Sequence, residues 1–309
     1  SGNIPGVSVT SLIRGLCVKS ASFGKTAAGE PYSAVCFARA LAEVDRELAS
    51  CLAVTYWPGG NEELEAIAFA EAEAVIAYGS DATIADIKRR LPPHARFVSY
   101  PNRVGAALVA RSALNRAHAP QLAQSAARDV ASFDQQGCVS PHIIFVERGG
   151  EVGAREFAEA LAQSLEQLSR EIPRKSLTPA ESTSIHQLRA QAEMRGATVL
   201  ASAGGTAWTV IVEERPQFEP SVLNRVIYVR PVDDLSVPLR ELARVGRHLQ
   251  TVAVEGEPSE VNALARRLGA AGATRIVPLG ATAWPAPHWH HDGRFQFLDL
   301  VRFTDIEQP

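Results

Sequence analysis

Ala74-Val-Ile-Ala-Tyr-Gly-Ser-Asp-Ala-Thr-Ile-Ala-Asp-Ile-Lys-Arg-Arg-Leu91 holds both halves of one structural unit. Its first five residues are a short apolar run suited to a buried strand, and Ser80–Leu91 has the apolar spacing of a helix. Gly79 lets another backbone come close. Ser80 can cap the helix or meet a phosphate at its positive end. Asp81 complements the helix dipole, so a plainly capped helix is the simpler reading of this pair.

The same alternation extends outward. Upstream, Leu16–Lys19 reads as a strand, and Pro31–Leu48 as a helix with Ala34, Val35, Ala38, Leu41 and Ala42 on one face. Leu52–Trp57 is a strand broken by Pro58-Gly-Gly60, and Glu62–Ala70 is helical. Downstream, Phe97–Tyr100 and Ala106–Val109 are strands. Such alternation implies right-handed crossovers and an α/β fold with a mostly parallel, doubly wound sheet. After a helical stretch at Arg111–Ala127 come a polar turn at Asp134–Cys138 and a strand at His142–Glu147. Helices at Val152–Glu171, Ala180–Arg195, Val237–Leu249 and Ser259–Ala270 follow. With strands at Thr198–Leu200, Trp208–Glu213, Val226–Val229, Thr251–Val254 and Arg275–Val277, they make a second α/β unit. The spacing places one domain at residues 1–126, a second at 127–279, and an irregular tail at 280–309.

The 309 residues are 46% hydrophobic and 21% charged, with net charge −3. That suits a soluble chain with a core needing neither disulfides nor metal. The balance offers no footprint for nucleic acid or an anionic membrane. No apolar run approaches the roughly 20 residues that span a bilayer. The start has neither an initiator Met nor signal-peptide organisation and reads as the middle of a longer frame. Cys17, Cys36 and Cys51 sit among apolar neighbours and read as small core residues, which points to a reducing, cytoplasmic setting.

Cys138 differs. It follows Gly137 in a polar turn, where backbone N–H groups can lower a thiol's pKa and hold an oxyanion. The residues alone leave a nucleophile and a structural cysteine both open. Lys19 is expected at the carboxyl end of the first strand, where open α/β sheets bind ligands, and Ser20-Ala-Ser22 after it carries no acid to repel a 2′-phosphate. That leans towards NADP. There is no Gly-x-Gly-x-x-Gly after any early strand. His288-Trp-His-His-Asp292 invites a metal but lacks partner ligands, so a binding loop or structural hydrogen bonding is preferred. Gly204-Gly205 reads as a turn.

In order, these segments resemble the aldehyde dehydrogenase superfamily, and more specifically the fatty acyl-CoA reductases of bacterial bioluminescence. The resemblance rests on Gly2-Asn-Ile-Pro5, on Phe133-Asp-Gln-Gln-Gly-Cys138 with Ser140-Pro141, and on His291-Asp-Gly293, Leu300-Val-Arg302 and Asp305-Ile-Glu307. It covers essentially the whole chain. It implies an NADP-binding Rossmann-like domain, a catalytic domain and a C-terminal segment returning to the cleft. By position it implies Cys138 as nucleophile and Asn3 as oxyanion amide. It implies Lys19 at the adenosine ribose, Ser22 where NAD-preferring members carry Glu, and Gly79 and Ser80 at the pyrophosphate. Gly59 and Gly60 join the same cofactor set.

One departure bears on the reaction. Hydrolytic aldehyde dehydrogenases carry a water-activating Glu before a Gly pair, whereas Val98-Ser-Tyr-Pro-Asn-Arg103 has no carboxylate. The resemblance therefore implies an NADPH-dependent reduction of a long-chain acyl-CoA to the aldehyde through an acyl-cysteine. An acyl-protein synthetase or transferase is the implied partner, and a homo-oligomer the implied assembly. The alternatives are an oxidising aldehyde dehydrogenase and a non-catalytic binding or assembly subunit.

Overall fold

The computed structural model describes residues 4–308. The chain divides into two compact units, one ending at Asn102 and resuming from Gly293, the other running from Arg103 to Asp292. The division thus falls at Asn102/Arg103 rather than near Ala126. The physical reason is that the strand after Asn102 pairs into the middle of the second unit's sheet.

In the first unit, α1 (Val7–Cys17) precedes β1 (Ser22–Lys25), α2 (Tyr32–Val44), α3 (Arg46–Ser50) and β2 (Leu52–Thr55). Then come α4 (Glu62–Ala70), β3 (Ala74–Tyr78), α5 (Asp81–Arg90) and β4 (Arg96–Tyr100). The strands form two parallel pairs, β1 with β2 and β3 with β4. Helix α1 joins them: Leu12 packs against Gly24 of β1, and Ser11 meets the Tyr78 hydroxyl at 3.0 Å. Buried Arg14 donates to the Tyr100 hydroxyl at 3.1 Å, and the Tyr78 and Tyr100 rings stack 4.7 Å apart.

Two expectations fail here. Leu16–Lys19 is not a strand: Leu16 and Cys17 end α1, and Lys19 takes a left-handed φ of 59° in its C-terminal cap. The Lys19 and Ser20 N–H groups donate to the Leu16 and Gly15 carbonyls, a helix-ending arrangement that a short apolar run does not reveal. The three cysteines read as core are exposed, since Cys17 and Cys51 lie at helix ends and Cys36 on the outward face of α2.

The second unit contains β5 (Val104–Val109), α6 (Ala119–Ala131), β6 (Pro141–Glu147), α7 (Ala154–Glu171) and α8 (Pro179–Met194). β7 (Thr198–Ala201), β8 (Thr209–Val212), β9 (Val226–Val232), α9 (Ser236–Val245), β10 (Leu249–Glu255), α10 (Pro258–Ala270) and β11 (Arg275–Val277) complete it. Its seven-stranded sheet has the order β11-β10-β5-β6-β9-β8-β7, with only β7 antiparallel. The central strands bury both faces. On β6, Ile144 and Val146 join the core under α6 and α7, while Ile143 and Phe145 join the core under α8, α9 and α10. This two-sided burial is the mark of a doubly wound sheet. The helix expected at Arg111–Ala127 is instead a 3-10 turn at Arg111–Ala113 followed by α6. Asn115 interrupts it by taking the His118 N–H at 2.9 Å, and Pro120 fits only in the first turn of α6.

Candidate active site

The approach to Cys138 is built from unusual backbone. Phe133, Asp134 and Gln135 all have left-handed φ (51°, 52° and 64°), and so do Leu223, Asn224 and Arg225 (62°, 57° and 64°). Each such residue costs of order 1–3 kcal/mol unless its surroundings over-determine it. Here the two triplets lock each other. The Asn224 N–H donates to the Asp134 carbonyl at 3.1 Å, and Gln136 donates to the Asn224 side chain at 3.1 Å. Fully buried Gln135 donates to the Pro141 and Val226 carbonyls and accepts the Val226 N–H. Arg225, 1% exposed, pairs with Asp134 at 2.8 Å. The Gly137–Ser140 turn that follows closes with Ser140 N–H donating to the Gly137 carbonyl at 3.0 Å and presents half-buried Cys138.

Gly105 of β5 makes room for this turn, since a Cβ there would lie 2.6 Å from the Ser140 carbonyl oxygen. Next to Gly105 the register slips on both sides, between Leu249 and Val252 on β10 and between Pro141 and Ile144 on β6. Such bulges re-aim side chains. The one on β10 includes Gln250, whose buried side chain donates to Asp292 Oδ1 at 2.5 Å. Arg103 Nε and Nη2 reach Asp292 Oδ2 at 2.9 and 2.8 Å. Asp292 is delivered by a pinned loop: Asp129 accepts the Gly280 and Thr282 N–H groups, and Arg275 holds the Ala281 and Thr282 carbonyls.

These groups surround the sulfur. Burial pushes the Cys138 thiol up to about 11, and Asp292 adds to the rise, while Gln250, the cysteine's own N–H and Arg103 work against it. The expected lowering by the turn's N–H is present but outweighed by burial, so the resting group is a thiol. A carboxylate does stand beside Cys138, supplied by the tail rather than by Val98–Arg103. Both its oxygens are engaged.

His142, at the start of β6, is held near 4 by burial, and its Nδ1 accepts the Ser221 N–H at 3.1 Å. With the folded value below the ordinary 6.5, the neutral ring stabilises the fold above pH 6.5, and that contribution is lost as the pH falls towards 4. Denaturant titrations should show a loss of order 3 kcal/mol across this window, flattened in His142→Gln.

The other expected residues lie in the first unit, except Asn3, which falls outside the described residues. Lys19 is in the α1 cap and Ser22 opens β1, so neither stands at the carboxyl end of a strand. That place belongs to Lys25. Gly59 and Gly60 follow β2, and a Cβ added at either would meet nothing within 4 Å. Ser80 caps α5, accepting the Thr83 N–H at 3.2 Å, with Gly79 packed on Thr83. In the tail, Trp289 stacks on His291 at 4.6 Å, and the Arg275 guanidinium lies 5.5 Å from the Trp289 ring centre. No group of three or more His, Cys, Asp or Glu among the described residues could hold a metal. No described helix is long and apolar enough to cross a membrane. Gln250, Arg103 and Gly105 were not singled out by sequence; a glycine inside an apolar strand was the available signal for the last.

The sequence model of a family described as Acyl-CoA reductase (LuxC) matches residues 1–303. The chain belongs to this family. Among curated relatives, a long-chain acyl-protein thioester reductase of Aliivibrio fischeri is 25% identical over all of this chain and 63% of its own length. The LuxC-family chain thus spans less than two thirds of such relatives. A P. syringae indole-3-acetaldehyde dehydrogenase, solved with NAD+ and IAA, has a TM-score of 0.68 at 17% identity, covering 89% of this chain and 58% of that one. A Bartonella henselae aldehyde dehydrogenase gives 0.64 at 17% identity, covering 90% and 60%. These likenesses show the aldehyde dehydrogenase fold.

Proposed function

We propose that this chain carries the thioester-reducing centre of an NADPH-dependent acyl reductase, with Cys138 as nucleophile. The observation that carries the reading is the built turn at Cys138: interlocked left-handed triplets and a glycine-made gap at Gly105. Structural cysteines need none of these.

In this mechanism the Cys138 sulfur attacks the thioester carbonyl, the bond from the acyl carbon to the carrier sulfur breaks, and the carrier leaves as its thiol with the proton lost by Cys138. The Cys138 N–H would stabilise the developing oxyanion, and the family resemblance implies the Asn3 amide as a second donor; one such donor is worth about 10²–10³ in rate. When bound, a reduced nicotinamide would supply the hydride that reduces the acyl-cysteine. Cys138 then leaves as thiolate with the aldehyde formed.

The first unit's residues fit the dinucleotide. Gly59 and Gly60 offer open backbone, Gly79 and Ser80 begin a ten-residue helix, and Lys25 takes the role first given to Lys19. The lean to NADPH moves with it. Thr26–Gly29 carries no acid, and Glu30 is turned into the cap of α2, accepting the Ser33 N–H at 2.8 Å.

The acyl donor is long-chain acyl-CoA or an acyl group on a partner synthetase or transferase. The names of the family and of its relatives point to these two carriers respectively. The engagement of both Asp292 oxygens favours reduction over hydrolytic oxidation. A panel of acyl-CoA and acyl-protein thioesters with NADPH and NADH, followed by aldehyde formation, tests this. NADPH oxidation with a thioester donor is the expected result. Aldehyde oxidation that runs equally well without added thiol would instead establish the oxidising dehydrogenase.

A further inference from the structure

Among the described residues three arginines are buried, Arg14, Arg225 and Arg230, and their partners differ. Arg225 is matched by Asp134, and Arg230 by Glu213 and Glu219. Arg14, 3% exposed, forms no ion pair among the described residues. Its Nε donates to the Gln296 side-chain carbonyl at 3.3 Å and its Nη1 to the Tyr100 hydroxyl at 3.1 Å. A guanidinium taken out of water with only neutral partners is costly, and arginines are almost never fully buried unless paired. Nη2 has no hydrogen-bond partner there, yet it is not one of the sealed, unpaired atoms, so it keeps a contact with solvent.

This cation sits in the first unit at the carboxyl end of β3 and β4, the edge at which parallel α/β sheets receive ligands. Ser11, one turn earlier on α1, meets the Tyr78 hydroxyl, and the Tyr78 ring stacks on Tyr100. Tyr100 ties the guanidinium to the turn that opens α5. Its hydroxyl accepts from Arg14, and its carbonyl accepts the Gly79 N–H at 3.2 Å. The acid of that turn, Asp81, is exposed.

We propose that Arg14 is the cation of an anion site at this edge, and that it takes a phosphate ester through Nη2 as a charge-assisted hydrogen bond. Two molecules of the proposed reaction carry such a group, the nicotinamide dinucleotide and the CoA carrier. The choice between them rests on the thioester-reductase reading; the site itself rests on Arg14.

The test is thermal unfolding and calorimetric titration of the full chain, as parent, Arg14→Met and Arg14→Gln. The probes are inorganic pyrophosphate, NADH, NADPH, CoA and pantetheine. Pyrophosphate should raise the melting temperature of the parent and leave that of Arg14→Met where it was. Without ligand, Arg14→Met should melt no lower than the parent, because an apolar side chain of similar length replaces an unmatched charge. A loss of about tenfold to hundredfold in affinity for NADH and NADPH, the scale of one bond to a charged group, assigns the site to the dinucleotide. The same loss for CoA, with phosphate-free pantetheine unaffected, assigns it to the carrier. Parent-like binding of pyrophosphate and of every nucleotide by Arg14→Met overturns the proposal. So does a lower melting temperature with unchanged affinities, the mark of a structural arginine. Should Arg14→Met fail to fold, Arg14→Gln decides by the same losses, since it keeps a donor for the Tyr100 hydroxyl and drops the charge. A parent chain that binds pyrophosphate but no nucleotide keeps the site and removes the reductase reading.

Discussion

Cys138→Ala is expected to cut aldehyde formation by roughly 10⁴-fold or more, the scale at which hydrolytic enzymes suffer from loss of their nucleophile. Without the sulfur no acyl-enzyme forms, and the donors around it have no covalent intermediate to serve. Incubation with radiolabelled acyl thioester should leave label on the parent protein and none on the variant. Cys138→Ser should be nearly as inactive, since a hydroxyl is far harder to ionise than a thiol and both oxygens of the neighbouring Asp292 are already engaged. The substitution leaves the locked turn intact, so the melting temperature should hold. Retention of activity within tenfold of the parent would remove the proposed mechanism.

Gln135→Met should lower stability by about 3–5 kcal/mol in chemical denaturation. Gln135 is wholly buried and is the partner of the Pro141 carbonyl and of both the Val226 N–H and carbonyl. Methionine fills the space but leaves these groups unpaired, at about 1–3 kcal/mol each before relaxation. The same bonds hold the left-handed triplets together, so released strain offsets only part of the loss. Asp134→Ala should cost a comparable amount by leaving nearly inaccessible Arg225 without its counter-charge. A loss below 1 kcal/mol in Gln135→Met would mean that the two triplets do not depend on this side chain.

Much of this architecture is legible in local pattern. The run Ala74–Tyr78 and the helix after Ser80 appear where apolar spacing and a capping serine put them, because burial of one face decides both. The failures share a cause. Lys19 follows an apolar run that helix α1 uses for packing, and the helix ends by a left-handed lysine where glycine would have announced the stop. With the strand displaced to Ser22–Lys25, its carboxyl end falls at Lys25, and Ser22 opens it. The cysteines went wrong because apolar neighbours in sequence say nothing about which side of a helix end faces solvent.

The sequence by itself determined the alternation of strands and helices, the doubly wound class and the family, and it made Cys138 the candidate among four cysteines. Those follow from periodicity and short contiguous motifs. Only the tertiary structure decided the surroundings of that cysteine. Arg103, Gln250 and Asp292 are far apart along the chain, and they meet because β5, β6 and β10 are neighbours in one sheet and the pinned loop after β11 returns to it. Such a meeting depends on register, bulges and a missing side chain at Gly105, none of which leaves a local signature strong enough to read.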